Sequence, residues 1–325
     1  MKGVIAKEPG GAEQLVYTDM PHPELQHGDL LIKVHAAAVN RTDILNREGK
    51  VGYVENPIIG VEISGEVIDP NGNDDFKTGD RVMGLVNGGA YAEYAVMPAN
   101  RAMHIPDSLS YTDAAAIPEV FLTAYQTLNW IGKLQKNETV LIHAGASGVG
   151  TAAIQLAKRL SDAKVIVTAG SERKLEFCRQ LGADIAINYK KVSFDQEVLK
   201  ATDQKGVNVI LDFVGSAYWD KNYASIAIDG RWVLIGVLGG STVKKVRLMD
   251  LMKKRVQLTG TLLTPRSDDY KSELTKDLIS QTNQMFENGT IKPIVDTIFS
   301  IEEAYKAHQW MEQNKNIGKI VLTIN

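Results

Sequence analysis

The segment Val140-Leu141-Ile142-His143-Ala144-Gly145-Ala146-Ser147-Gly148-Val149-Gly150 runs from a buried-strand pattern straight into a helical one. A glycine-rich turn in that position lets the backbone approach a ligand closely and aims helix N-terminal N–H groups at an anion, above all a pyrophosphate. The spacing Gly145…Ser147…Gly150 departs from G-x-G-x-x-G by a serine in the middle, which is small, and Gly148 beside it keeps the loop thin. A nucleoside-triphosphate loop needs Lys after its last glycine, and Thr151 follows here. A methyltransferase-type loop would carry an acid at the strand end, where His143 and Ala144 stand. In isolation the loop could also be a helix start that only needs small residues for packing.

The surroundings favour a dinucleotide. From about Glu119 short apolar runs alternate with helical patterns, which implies βαβ units on a parallel sheet. The expected strands are Thr139–Ala144, Lys164–Ala169, Asp184–Asn188, Val207–Val214, Trp232–Val237 and Gln257–Leu263, enough for two mononucleotide-binding halves. Ala153, Leu156, Ala157 and Leu160 recur at helical spacing and would pack the helix Val149 to Ser161 on that sheet. The first hundred residues read differently. Short alternating runs, Leu30 to Val39 the clearest, are broken by Asp69-Pro70-Asn71-Gly72 and Thr78-Gly79-Asp80, with a further strand starting at Arg81. That is the pattern of an antiparallel β domain, a small barrel or sandwich. From Asp268 the chain is polar and helical, with Leu274, Leu278, Met285 and Phe286 on one side, and Gly318–Leu322 is expected to return as a strand to the first domain.

Enzymes that use NAD place a carboxylate at the tip of the second strand, on the ribose hydroxyls. Here Val165–Ala169 leads into Gly170-Ser171-Glu172-Arg173-Lys174 with no acid at the tip. Gly170 and Ser171 can donate N–H and hydroxyl hydrogens, and Arg173 or Lys174 can meet a 2′-phosphate, so NADPH is the expected cofactor. Tyr189, just after the third strand, is a weaker candidate for the same pocket.

Length and charge set the limits. A chain of 325 residues accommodates two domains, and a net charge of −3 gives no field that would draw nucleic acid or an anionic membrane. The single cysteine, Cys178, excludes an internal disulfide and any Cys-pair zinc site. The start Met1–Pro9 lacks the apolar core of a signal peptide, and no run approaches the ~18 apolar residues of a membrane span. A reducing, cytoplasmic setting is the expectation. The six histidines, His22, His27, His35, His104, His143 and His308, show no metal-ligand spacing and read as surface or packing residues.

Over essentially its full length the chain resembles the medium-chain dehydrogenase/reductase superfamily, and within it the quinone oxidoreductase (zeta-crystallin-like) branch. The residues that carry this are Leu31–Asp43, Gly79-Asp80-Arg81-Val82, Ala114–Glu119 and the Gly145–Gly150 loop. His143-Ala144-Gly145, Ser147–Thr151, Asp229–Leu234 and Asn314–Leu322 are similar to the tumour-suppressor-inducible members of that branch. The resemblance implies an α/β fold, a Rossmann doubly wound parallel sheet over residues 119–266 plus a GroES-like β-barrel catalytic domain from residues 1–118 and 267–325. It implies dinucleotide contacts at Thr123, at Ser147, Gly148 and Val149, and at Val214, Gly236, Leu238, Leu262, Leu263 and Asn316, most of them after strand ends. It also implies a nicotinamide cleft lined by Asn40 and Asp43, with Tyr53 as a substrate or cofactor contact. As bare residues, Asn40 and Asp43 read equally as a turn-forming Asn and a helix-starting Asp, and Tyr53 as a loop tyrosine.

Zinc alcohol dehydrogenases of the superfamily have Cys where this chain has Asn40 and His where it has Val61, and no metal is expected. Without a Lewis acid, alcohol oxidation loses its main device, whereas a quinone or enone spreads the charge that hydride brings by conjugation. The resemblance therefore implies an NADPH-dependent, zinc-independent quinone oxidoreductase acting on a small molecule, and a homodimer paired through Gln257–Leu263. An alkenal or enone (double-bond) reductase and a non-enzymatic NADPH-binding protein are the alternatives.

Overall fold

The computed structural model describes residues 1–324 and divides into two units, Met1–Leu122 with the segment from Leu263 onward, and Thr123–Leu262. In chain order the strands are β1 (Lys2–Ala6), β2 (Leu15–Asp19), β3 (Asp29–Ala38), β4 (Glu62–Asp69), β5 (Arg81–Leu85), β6 (Tyr94–Pro98) and β7 (Ala102–His104). They continue with β8 (Thr139–Ile142), β9 (Lys164–Ala169), β10 (Ile185–Asn188), β11 (Val207–Asp212), β12 (Ile226–Leu234), β13 (Gln257–Gly260), β14 (Val295–Ser300) and β15 (Lys319–Thr323).

The first unit is built on a sheet ordered β14-β15-β3-β4-β5-β7, with β6 also paired to β3 and a separate β1–β2 hairpin. Leu30, Ile32 and Val34 alternate into its core, as a half-buried strand requires. Farther along β3 the alternation stops and Ala36, Ala37 and Ala38 are all buried. Their small size leaves room for Ala115 and Ala116, at the end of the helix Tyr111–Ala115, to pack against Ala36, Ala38 and Val321. The C-terminal strand does return here: β15 runs antiparallel to β3, Val321 opposite Ala38 and Leu322 opposite Ala37. It also pairs in parallel with β14, a strand the sequence reading did not separate from the polar helical stretch after Asp268.

The second unit is a six-stranded, wholly parallel sheet ordered β10-β9-β8-β11-β12-β13. The chain leaves β8 toward one edge and restarts at β11 toward the other, so the order reverses between these two central strands. Such a switch point opens a crevice at the carboxyl ends of the strands. Both strands have apolar centres, with Val140, Leu141, Ile142, Val209, Ile210 and Leu211 fully buried, as a parallel sheet covered on both faces demands. The helix Gly148–Ser161 lays Ala153, Ile154, Leu156 and Ala157 on it. Among the described residues no helix is long and apolar enough to cross a membrane.

Gly318 sets the entry to β15. It has a left-handed backbone (φ 81°), and a Cβ there would run into the Ile294 carbonyl oxygen, the group that accepts the Lys319 N–H at 2.7 Å. Gly318→Ala is therefore expected to cost about 1–3 kcal/mol and to lower the thermal midpoint by several degrees, measured by calorimetry. An unchanged midpoint would mean that the turn relaxes freely.

Candidate functional site

In the second unit the chain leaves β8 through His143 and makes a left-handed turn at Ala144 (φ 50°). A Cβ on Gly145 would lie 2.8 Å from Val167 Cβ, and one on Gly150 would overlap the Ala144 and Gly145 carbonyl oxygens. Both glycines are thus required, the first for packing on β9 and the second for the close return of the helix over the loop. Ser147 caps that helix, its Oγ accepting the Gly150 N–H at 3.1 Å. The N–H groups of Gly148 and Val149 take no partner among the described residues, which leaves two oriented donors at a helix start.

Behind the loop lies a buried polar chain. Asp212, at the end of β11, accepts the backbone N–H groups of Val214 (2.8 Å) and Gly215 (3.0 Å) on Oδ1, and Asn222 Nδ2 and Trp232 Nε1 (both 3.0 Å) on Oδ2. Since the Asn222 amide nitrogen faces the carboxylate, its Oδ1 faces His143 Nε2 at 2.7 Å, and that ring nitrogen must carry the proton. His143 Nδ1 is then the acceptor of the Thr168 hydroxyl at 2.9 Å, and Thr168 O takes the Gly145 N–H. Burial lowers the His143 pKa and keeps the ring neutral. One chain of hydrogen bonds therefore ties the glycine loop to the Val214–Gly215 loop across the switch point.

At the end of β9 a Cβ on Gly170 would lie 2.8 Å from Tyr189 Oη and 3.1 Å from Lys190 Cε. The missing side chain leaves a recess flanked by a phenol and an ammonium stem. Ser171 opens the next helix, its Oγ accepting the Lys174 N–H at 3.4 Å. Gly170, Ser171, Lys174 and Tyr189 are thus brought together, and Lys190 joins them. Val214, Gly236 and Leu262 each stand two residues past the ends of β11, β12 and β13, along the carboxyl edge, with Leu238 just beyond. Thr123 is instead buried in the helix Pro118–Tyr125, and Leu263 and Asn316 belong to the other unit.

In the first unit Asn40 precedes the helix Arg41–Arg47, and its N–H donates to Asp43 Oδ2 at 2.8 Å. The two residues are the turn-forming Asn and helix-starting Asp that local pattern suggests, and they are also part of something larger. Asn40 Nδ2 donates to Glu62 Oε1 (2.7 Å), and the Lys319 ammonium donates to Val39 O (2.9 Å), Asn40 Oδ1 (2.6 Å) and Glu62 Oε1 (2.6 Å). Glu62 Oε2 takes the Glu119 N–H at 2.8 Å. Asp43 Oδ2 also accepts the Tyr91 hydroxyl at 3.1 Å. Arg47 Nη1, which can only donate, lies 3.3 Å from His308 Nδ1, so His308 Nε2 carries the proton and donates to Tyr91 Oη at 3.3 Å. Burial, then the Arg47 charge, holds the His308 pKa down at about 3, and burial drives the Asp43 carboxyl up to about 7. Tyr53 Oη lies 3.1 Å from Thr42 Oγ1, on the same helix as Asp43.

His143 and His308, read from sequence only as surface or packing residues, are wholly buried members of these networks. Glu62, Tyr91 and Lys319 went unassigned for the same reason: each partner lies dozens to hundreds of residues away. The one local signal was a lysine beginning an otherwise apolar final strand.

A family model described as an alcohol dehydrogenase GroES-like domain matches residues 26–107, and one described as a zinc-binding dehydrogenase matches residues 148–279. The chain is 33% identical over 310 residues to quinone oxidoreductase-like protein 2 of Bos taurus, covering 94% of this chain and 87% of that protein. Among solved structures, a Pseudomonas syringae pv. tomato quinone oxidoreductase superposes with a TM-score of 0.90 at 29% identity, covering 99% of both chains. A mycobacterial protein complexed with NADPH superposes with a TM-score of 0.89 at 30% identity, covering 100% of both.

The raised Asp43 pKa has a consequence for folding. A carboxyl whose pKa rises on folding binds its proton more tightly in the native state, so the ionisation cost of its burial is absent below about pH 4 and grows up to about pH 7. Urea unfolding from pH 4 to 8 should therefore show stability falling more steeply with pH in the wild type than in Asp43→Asn. Parallel profiles would rule out a raised pKa at this position.

Proposed function

We propose that this chain, which belongs to the medium-chain dehydrogenase/reductase superfamily and to its quinone oxidoreductase branch, is an NADPH-dependent, zinc-independent reductase of quinones. The observation that carries the cofactor is the recess at Gly170. It has the Tyr189 phenol and the Lys190 stem around it, the Ser171 hydroxyl beside it and no carboxylate at the tip of β9, surroundings that suit a 2′-phosphate better than a free ribose. Gly148 and Val149 would receive the pyrophosphate on their N–H groups, while the Asp212–His143 chain holds the two flanking loops in place. NADPH in that site supplies hydride to the acceptor.

The other unit, Met1–Leu122 with the segment from Leu263 onward, would be the catalytic one, carrying Asn40, Asp43 and Tyr53. The Lys319 ammonium already occupies the donor set of Asn40 and Glu62, so a cation there would have to displace a bound charge. That supports a mechanism without zinc. The names of the relatives support a quinone as acceptor, and the Tyr53–Thr42 hydroxyl pair offers a donor for its oxygen.

Purified protein should oxidise NADPH in the presence of ortho- and para-quinones, resist chelators and use NADH poorly. Gly170→Asp, which places a carboxylate in the recess, should reduce the preference for NADPH over NADH by about tenfold or more, equivalent to about 1.4 kcal/mol. Turnover of an alkenal alone would replace quinone with enone as the acceptor, and tight NADPH binding without turnover would favour a non-enzymatic role.

A homodimer is part of the same proposal. The edge strand β13 is exposed along its length, and Leu258 on it, with Leu248, Met249 and Met252 on the helix Leu248–Lys254, is open to solvent. An unpaired edge with apolar neighbours suits pairing with its own copy. Sedimentation at micromolar concentration is expected to give the dimer mass, and Leu258→Lys the monomer.

A further inference from the structure

We propose that Glu172 is a positioning residue for the 2′-phosphate of the cofactor: acting through Asn188, its carboxylate sets the turn whose side chains wall the recess at Gly170. The inference rests on the cofactor reading above. An acid beside an anion subsite opposes the anion by charge, so its contribution must lie in what it holds.

Parallel pairing of β9 with β10 sets Asn188 opposite Ala169, each the last residue of its strand. The chain leaving β9 then passes through Gly170 and the chain leaving β10 through Tyr189 and Lys190. The space a side chain would take at Gly170 is bounded by Tyr189 Oη and Lys190 Cε. Neither the Tyr189 hydroxyl nor the Lys190 ammonium has a hydrogen-bond or ion-pair partner among the described residues, so both are open to a ligand.

The two walls are held in different ways. Tyr189 meets the ring of Tyr218 edge-on, with centroids 6.2 Å apart, and Tyr218 in turn packs on His143 and Phe194. Lys190 is held through its backbone: its N–H donates to Asn188 Oδ1 at 3.1 Å. Asn188 Nδ2 donates to Glu172 Oε1, also at 3.1 Å, and the same carboxylate oxygen accepts Lys191 Nζ at 3.0 Å. A carboxylate only accepts, so it commits the amide nitrogen of Asn188 and leaves Oδ1 to close the turn on Lys190. Asn188 O completes the turn by accepting the N–H groups of Lys191 and Val192.

The bonds from Asn188 and Lys191 keep the Glu172 carboxyl below the usual carboxylate range, so it is an anion when the cofactor binds. Lys191 matches its charge, and both ends of that ion pair are more than half exposed. An ion pair so exposed adds little to the stability of the fold. Glu172 therefore acts on the geometry of one turn, and charge and position make opposite predictions. By charge alone, removing it tightens the hold on a 2′-phosphate; by position, removing it loosens that hold.

The test is calorimetric titration of the full chain, at fixed ionic strength, with adenosine 2′,5′-bisphosphate and with 5′-AMP, which lacks the 2′-phosphate. The wild type should prefer the bisphosphate. Glu172→Ala should weaken the bisphosphate about tenfold and leave 5′-AMP within about twofold, with the thermal midpoint moved by no more than about 2 °C. Asn188→Ala should repeat the loss. Glu172→Gln, whose amide oxygen can still accept the Asn188 amide, should keep wild-type affinity for both. A Glu172→Ala protein that binds the bisphosphate as tightly as the wild type, or more tightly, overturns the positioning role and leaves the cofactor reading intact. So does a loss shared equally by 5′-AMP. A wild type that binds the two nucleotides equally overturns the inference together with the cofactor reading.

Discussion

The Lys319 ammonium lies 2.6 Å from Glu62 Oε1 where neither side chain reaches water, and an ion pair so placed is tolerated only when it is complete. Desolvating two charges costs several kcal/mol each, and removing one partner of such a pair costs about 3–5 kcal/mol because the other is left uncompensated. Here the accounts close at the level of atoms: the three ammonium hydrogens have three acceptors, and the carboxylate takes two donors on one oxygen and one on the other. Completing the pair requires the end of β3, the start of β4, the helix head at Glu119 and the first residue of β15 to meet. Those positions span residues 39 to 319, so a single charge fixes where the last strand of the chain must sit.

The nucleotide-type unit buries a carboxylate with no cation at all. Asp212 has four neutral donors, two of them backbone N–H groups of the loop that follows it. Such a carboxylate is held by geometry, since each donor must point inward for the others to be tolerated. The same demand fixes the Asn222 amide, the amide fixes the His143 tautomer, and the ring fixes the Thr168 hydroxyl. The stiffness of the glycine loop thus comes from beneath it as much as from its own glycines.

What was legible in the sequence was whatever is local. Gly145, Ser147 and Gly150 could be assigned because a strand, a turn and a helix follow one another within a dozen residues and each leaves its own pattern. The missing acid at the tip of β9 was legible because it is a local fact, whereas the recess at Gly170 was not, since Tyr189 and Lys190, which flank it, come from the next strand's end. Boundaries were less so. The strand expected at Trp232–Val237 runs Ile226–Leu234, since a register shift against β11 and a left-handed Asp229 admit the Asp229-Gly230 turn signal inside the strand. The strand expected at Gln257–Leu263 ends at Gly260, where its partner Leu234 ends. Tyr91, Asp212, His308 and Lys319 looked like ordinary residues because their meaning depends on partners that only the fold supplies.

The first unit holds three carboxyl groups, Asp43, Glu62 and Glu119, around one fully engaged ammonium. The Lys319 ammonium makes its ion pair with only one of them, and the choice is settled by hydrogen bonds: Glu62 has a side-chain amide, a backbone N–H and the ammonium, and no other acid in the cluster has all three. Once Glu62 is ionised its charge adds to the desolvation that Asp43 and Glu119 already meet, and both are pushed toward their neutral forms. A cluster that appears in sequence as scattered acids therefore contains one carboxyl paired with an ammonium and two whose pKa values are raised by burial. Of those two, Asp43 is locked into the Tyr91–His308–Arg47 chain, while Glu119 stands at a helix head with its carboxyl uncommitted. The pairing that secures the fold thus also determines which of the three carboxyls keeps the full set of donors and which two are pushed toward their neutral forms.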